Sequence, residues 1–171
     1  STRTTGPAAR AWQPGPPADM LCREFIDKGD DLIRIAISGA AGRMGRSLVE
    51  ACRETQGVVL AAALERPGRP SVGKDAGELA GIGAAGVAIA DDLAAQSASF
   101  DVLIDFTRPE VTLSNLQVCR AAGRRMVIGT TGFTPAQRRV LGQVGEDIAL
   151  VAAPIIFYAR DTIDQLKRSR A

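Results

Sequence analysis

Residues 32–45 read LIRIAISGAAGRMG, and this stretch decides the fold. Leu32 to Ser38 is short, β-branched and apolar apart from Arg34, and it breaks abruptly at Gly39, the pattern of a strand buried on both faces. Gly39, Gly42 and Gly45 form a G-x-x-G-x-x-G turn, after which Met44, Leu48, Ala51 and Cys52 recur at helical spacing, so a helix over 42–54 follows directly on the strand. Each glycine has a physical use. A tight strand-to-helix turn can demand positive φ, close approach of a pyrophosphate needs a missing Cβ, and packing of helix on sheet needs a small residue one turn later. The helix start also presents unpaired N–H groups and a positive dipole end to phosphates. Three glycines at this spacing serve an ordinary tight turn equally well, so the surrounding chain has to decide.

The alternation continues outward. Strands are predicted over 57–64, 86–90, 101–106, 125–129 and 148–152, and helices over 91–96, 109–122 and from Thr134 to about Gly145. Pro109 and Pro135 fall in first helical turns, where a missing N–H is tolerated. Strands alternating with helices through right-handed crossovers imply an α/β fold: Rossmann-like, doubly wound, with a mostly parallel sheet and helices on both faces. The glycine-rich residues 73–86 interrupt the rhythm and are expected to be a surface loop.

The chain has 171 residues, 46% hydrophobic and 23% charged, enough for one self-sufficient core. A net charge of +2 and an aromatic content of 4% argue against nucleic acid as a partner, since they leave neither a steering field nor a stacking platform. There is no histidine, which excludes Ser-His-Asp and Cys-His nucleophiles, His-based zinc sites and imidazole acid–base chemistry within this chain. Cys22, Cys52 and Cys119 are too widely spaced for a disulfide framework or metal knuckle, so no metal is expected and a reducing, cytoplasmic setting is. Cys52 and Cys119 fall at helical core positions and read as packing. The longest apolar run, 148–159, contains Pro154 and falls short of the ~18 residues of a membrane helix, so no membrane partner is expected. Residues 1–31, proline-rich at the start and charged at the end, are expected to be a disordered extension before a domain spanning 32–154.

Glu65 follows the second strand roughly 20 residues beyond Gly45, where a carboxylate accepts hydrogen bonds from an adenosine ribose. A solvated charge at a strand end is the alternative, but strand, glycine turn, helix, strand and acid in this order favour a dinucleotide. Arg66 beside it can pair with a 2′-phosphate or simply face solvent, so the site is expected to take NADPH or NADH. Two loops, 105–109 and 129–133, fall at the carboxyl ends of later strands, where open α/β sheets place ligands.

The run Ala36 to Gly45 resembles the opening motif of the dihydrodipicolinate (4-hydroxy-tetrahydrodipicolinate) reductase family of lysine and diaminopimelate biosynthesis. The resemblance extends through 63–66, 75–79, 101–110 and 127–133, and covers 33 to about 154. It implies a domain that binds NADH or NADPH, with pyrophosphate contacts at Gly39, Ala40, Ala41, Gly42, Arg43 and Met44, and ribose discrimination at Glu65 and Arg66. It further implies nicotinamide-side contacts at Phe106, Thr107, Gly129, Thr130 and Thr131, with Ala153 and Pro154 closing the cofactor site. In the family, hydride passes from the nicotinamide to an unsaturated cyclic dicarboxylate, giving tetrahydrodipicolinate.

After Pro154 the sequence departs from the family pattern and reads Ile155-Ile156-Phe157-Tyr158, leaving 155–171 as a divergent tail. The family's C-terminal α+β substrate domain, with its paired histidines, lysine and Ser-Gly-Thr loop, is not matched. The expectation is therefore a chain that binds cofactor, carries no catalytic residue of its own and has lost the family's oligomerisation. A nucleotide-binding regulatory or interaction module is the alternative.

Overall fold

The computed structural model describes residues 32–144 and the backbone of 150–152. Six strands, β1 (Ile33–Ser38), β2 (Val58–Leu64), β3 (Ile89–Ala90), β4 (Val102–Asp105), β5 (Arg125–Ile128) and β6 (Leu150–Ala152), form one sheet in the order β3-β2-β1-β4-β5-β6. All five strand pairings are parallel. The chain winds outward from β1 in one direction and from β4 in the other. The order therefore reverses between β1 and β4, which opens a crevice at their carboxyl ends.

Side chains alternate across the pleat and fill two cores. Ile35, Ile37, Val102, Ile104 and Val127 point to one face, covered by helices α1 (Arg43–Glu54) and α2 (Ala76–Ala80). Ala36, Leu103, Met126 and Ile128 point to the other, where α3 (Leu93–Gln96), α4 (Pro109–Ala121) and α5 (Pro135–Val144) contribute Leu93, Leu116, Cys119 and Val144. Cys52 and Cys119 are packing residues, as expected, and burial pushes both thiols up to about 12. Arg34, the polar interruption of β1, sits at the amino end of the sheet, its guanidinium reaching both carboxylate oxygens of Asp101 at 2.7 and 3.1 Å.

The expected surface loop over 73–86 is corrected: it contains α2. The Asp75 carboxylate caps this helix by accepting from the N–H groups of Gly77 and Glu78, and it also accepts from Ala85 and Gly86. One side chain thus closes the whole excursion, while Gly77 is so tightly placed that a Cβ there would overlap the Gly83 carbonyl and Ala85. The strand expected over 86–90 is shortened to Ile89–Ala90 because Ala88 instead bridges antiparallel to Asp75. The helix expected from Asp91 begins at Leu93, after Asp92 caps it through the Ala95 N–H. The expected extension over 1–31 and tail over 155–171, together with Ala153 and Pro154, lie outside the described residues.

Candidate dinucleotide-binding site

The glycine turn lies at the carboxyl end of β1, on the crevice. Gly39 takes φ +79°, the left-handed conformation that a β-substituted residue enters at a cost. A Cβ on Gly45 would overlap the Gly39 carbonyl and the Ala40 backbone, so Gly45 lets α1 sit down on its own turn rather than on the sheet. Gly42 differs from both. Its φ is −71°, and a Cβ there would meet, among the described residues, just the Gly39 carbonyl oxygen at 3.2 Å. Nothing among the described residues strictly requires a glycine at 42.

The turn is tied to β2. Gly39 N–H and Ala40 N–H both donate to the Leu64 carbonyl, at 2.9 and 3.1 Å, and Gly42 N–H donates to the Gly39 carbonyl. The Ala41 N–H donates to Glu65 Oε1 at 3.2 Å. These four N–H groups are thus engaged inside the protein, and what the turn offers an anion is the beginning of α1, at Arg43 and Met44. No side chain caps α1 and no acidic residue lies in its first turn, so its leading N–H groups and positive dipole end are left uncompensated by side chains, and an open depression of about 470 Å³ lies beside Arg43, Met44 and Ser47. Glu65 is half-buried against the turn and also accepts from the Arg66 N–H at 3.3 Å, while the Arg66 side chain is exposed next to it.

The two later loops meet across the β4–β5 edge. The Phe106 ring lies against Gly129, where a Cβ would fall among the ring carbons. Thr107 N–H donates to both Asp105 Oδ1 and Thr130 Oγ1, each at 3.0 Å. Thr130 is 7% exposed and its hydroxyl is spent inside this network. Thr131 is exposed. The crevice therefore brings together Gly39 to Met44, Glu65, Arg66, Phe106, Thr107 and Gly129 to Thr131 around the ends of β1, β2, β4 and β5.

The sequence places Asp105 where the strand over 101–106 meets the loop 105–109 and gives it no role, yet it is the centre of this arrangement. It is fully buried at the end of β4, and burial pushes its carboxyl above the ordinary carboxylate range against the opposing pull of Thr107, Asn115 and Thr130. The signal was legible: an acid closing the apolar run Val102-Leu103-Ile104, with threonines at 107 and 112 within reach of it. Among the described residues no cluster of acids and thiols could hold a metal ion, and no helix is long and apolar enough to cross a membrane.

The reversed strand order, the glycine turn and the uncapped helix define a Rossmann-type nucleotide-binding domain. A family model described as dihydrodipicolinate reductase, N-terminus, matches residues 33–155, and the chain belongs to that family. The 4-hydroxy-tetrahydrodipicolinate reductase of Geobacter sp. (strain M21) is 53% identical over 123 residues, which cover 72% of this chain and 46% of the relative. The chain therefore spans about half the length of the curated relatives it matches. Among solved structures, a dipicolinate-bound dihydrodipicolinate reductase from Paenisporosarcina sp. TG-14 superposes with a TM-score of 0.57 at 25% identity, over 72% of this chain and 47% of that one. A biliverdin reductase from Synechocystis sp. PCC 6803, in complex with biliverdin and NADP+, shares the fold at 16% identity, with a TM-score of 0.55 over 70% of this chain and 36% of that one.

Proposed function

We propose that this chain is the NAD(P)H-binding part of a 4-hydroxy-tetrahydrodipicolinate reductase of lysine and diaminopimelate biosynthesis. The observation that carries this reading is the start of α1: a twelve-residue helix without a cap, opening at Gly42 beside the carboxylate of Glu65 at the sheet's switch point. Pyrophosphate fits the leading N–H groups of α1 and the Arg43 side chain. Glu65 accepts hydrogen bonds from a free ribose, and the exposed Arg66 guanidinium neutralises a 2′-phosphate, so both NADH and NADPH are accommodated. The bound dinucleotide supplies the hydride. The chain's own residues hold and orient it: Phe106, Thr107 and the backbone of Gly129 to Thr131 form the wall on the nicotinamide side.

Reduction of a cyclic dicarboxylate also needs a positioned acid, typically worth ~10² to 10⁴-fold, and an orienting clamp for the substrate. These 171 residues hold no histidine, and the family's substrate domain with its paired histidines and Ser-Gly-Thr loop is not matched in them, so the polypeptide by itself is expected to bind cofactor without consuming it. Calorimetric titration with NADH and NADPH tests the first part, and binding of neither would overturn it. Protein-dependent loss of nicotinamide absorbance with freshly generated substrate, at rates typical of a complete reductase, would overturn the second.

A further inference from the structure

Asp105 accepts more hydrogen bonds than any local turn requires. Its Oδ1 receives the Thr107 N–H and hydroxyl at 3.0 and 2.6 Å and the hydroxyls of Thr112 and Thr130 at 3.2 Å each, and its Oδ2 receives the Asn115 amide at 2.8 Å. Asn115 also donates to the Ser38 hydroxyl at 3.0 Å, and the Thr112 hydroxyl, whose single proton is shared with Asp105 Oδ1, lies 2.9 Å from the Thr130 hydroxyl. These partners come from the end of β1, the first turns of α4, and the loops after β4 and β5. In the sheet register Asp105 stands between Ser38 and Ile128, directly on the crevice.

We infer that Asp105 is a positioning residue, whose carboxylate sets the conformation of the loops after β4 and β5 and thereby the nicotinamide side of the site. This assignment rests on the dinucleotide reading. A buried acid with its donors is not explained by stability alone, because apolar residues of similar volume often hold such a site as well or better. What an apolar residue does not do is fix direction. The Thr107 N–H, shared between Asp105 and Thr130, locks one loop to the other, and the Asp105 carbonyl takes the Gly129 N–H at 2.8 Å. Phe106, the residue after Asp105, touches Gly129, whose N–H is one of these anchors. The same anchoring reaches the glycine turn, since the Thr107 methyl and the Phe106 carbonyl stand 3.2 and 3.3 Å from the place a Gly39 Cβ would take.

Thr112 gives the cleanest test, because it is completely buried on α4 and its hydroxyl serves this network. The full chain and the variants Thr112→Val, Thr112→Ser and Asp105→Asn are titrated with NADH and with ADP-ribose, which lacks the nicotinamide. Nicotinamide fluorescence is followed in the NADH arm. Thr112→Val and Asp105→Asn are expected to weaken NADH about tenfold, the loss of roughly one hydrogen bond, with altered emission and ADP-ribose affinity retained. Thr112→Ser, which keeps the hydroxyl, restores NADH binding. Equal losses of both ligands, as a merely unfolded or loosened protein would give, overturn the inference, as does unchanged NADH affinity in both variants. A parent chain that binds neither ligand would overturn the dinucleotide reading itself, and the positioning role with it.

Discussion

Asp101 stands immediately before β4 and Asp105 closes it, and the two carboxyls are displaced in opposite directions. Arg34, by hydrogen bond first and then by charge, holds Asp101 below its ordinary value. Burial raises Asp105. One strand thus carries an ion pair at its amino end, towards solvent, and a desolvated acid at its carboxyl end, in the crevice.

These shifts give opposite pH dependences. Asp101, lowered on folding, contributes stability above the unfolded carboxylate pKa of ~3.9, and that contribution is lost as pH falls through its folded value. Asp105, raised on folding, contributes in the reverse sense, favouring the fold below ~3.9 and losing that advantage as pH rises through its folded value. Because Arg34 and Asp101 are 43% and 35% exposed, solvent screening holds the pair to about 1 kcal/mol or less. Urea unfolding free energies should therefore separate the parent from Asp101→Asn at pH 7 by that amount, and the gap should close as pH falls below the lowered Asp101 value. A difference that grows in acid would contradict the Arg34 pairing.

Gly42 and Gly45 should fail differently. Gly42→Asp places a carboxylate at the N-cap of α1, a position that favours Asp, so stability should change by only a few tenths of a kcal/mol while NADH binding is lost. Gly45→Ala drives a methyl into the Gly39 carbonyl and should cost about 1 to 3 kcal/mol of stability. Calorimetry and urea denaturation separate the two effects, and equal NADH affinity in Gly42→Asp and the parent would mean that the pyrophosphate lies elsewhere.

Arg66→Ala should weaken NADPH more than NADH by roughly 1.5 to 3 kcal/mol, the scale of a charge-assisted hydrogen bond. Paired titrations measure the difference directly. An equal loss for both cofactors would place Arg66 away from the ribose.

The contact of Phe106 with Gly129 predicts strong coupling. Gly129→Ala should cost about 1 to 3 kcal/mol by overpacking, and much less when Phe106→Ala has already removed the ring. A double-mutant cycle in urea supplies the number. Additive costs would show that the ring does not fill the space above Gly129.

The order of the strands and of the helices other than α2, the two-faced burial of β1 and the glycine turn at its end were all legible in the sequence. Each is written locally: in a run such as Ile33 to Ser38, in the helical spacing of Leu48 and Cys52, and in a Gly39 that the turn requires. The family resemblance added further candidate residues, and those from Gly39 to Thr131 lie at neighbouring strand ends, while Ala153 and Pro154 fall outside the described residues. Residues 73–86 do not read as a helix because α2 spans just five residues, too short for periodicity, and is held by donors two to eleven positions along the chain that converge on Asp75. The engagement of Ala41 by Glu65, 24 residues away, was invisible for the same reason, and it decides which N–H groups remain for a phosphate. Asp105 is the extreme case. Its neighbours in sequence identify a strand end, but its burial and its partners from residues 107 to 130 exist only once β1, β4, β5 and α4 are packed, because desolvation and convergent hydrogen bonding belong to the assembled interior and not to the chain.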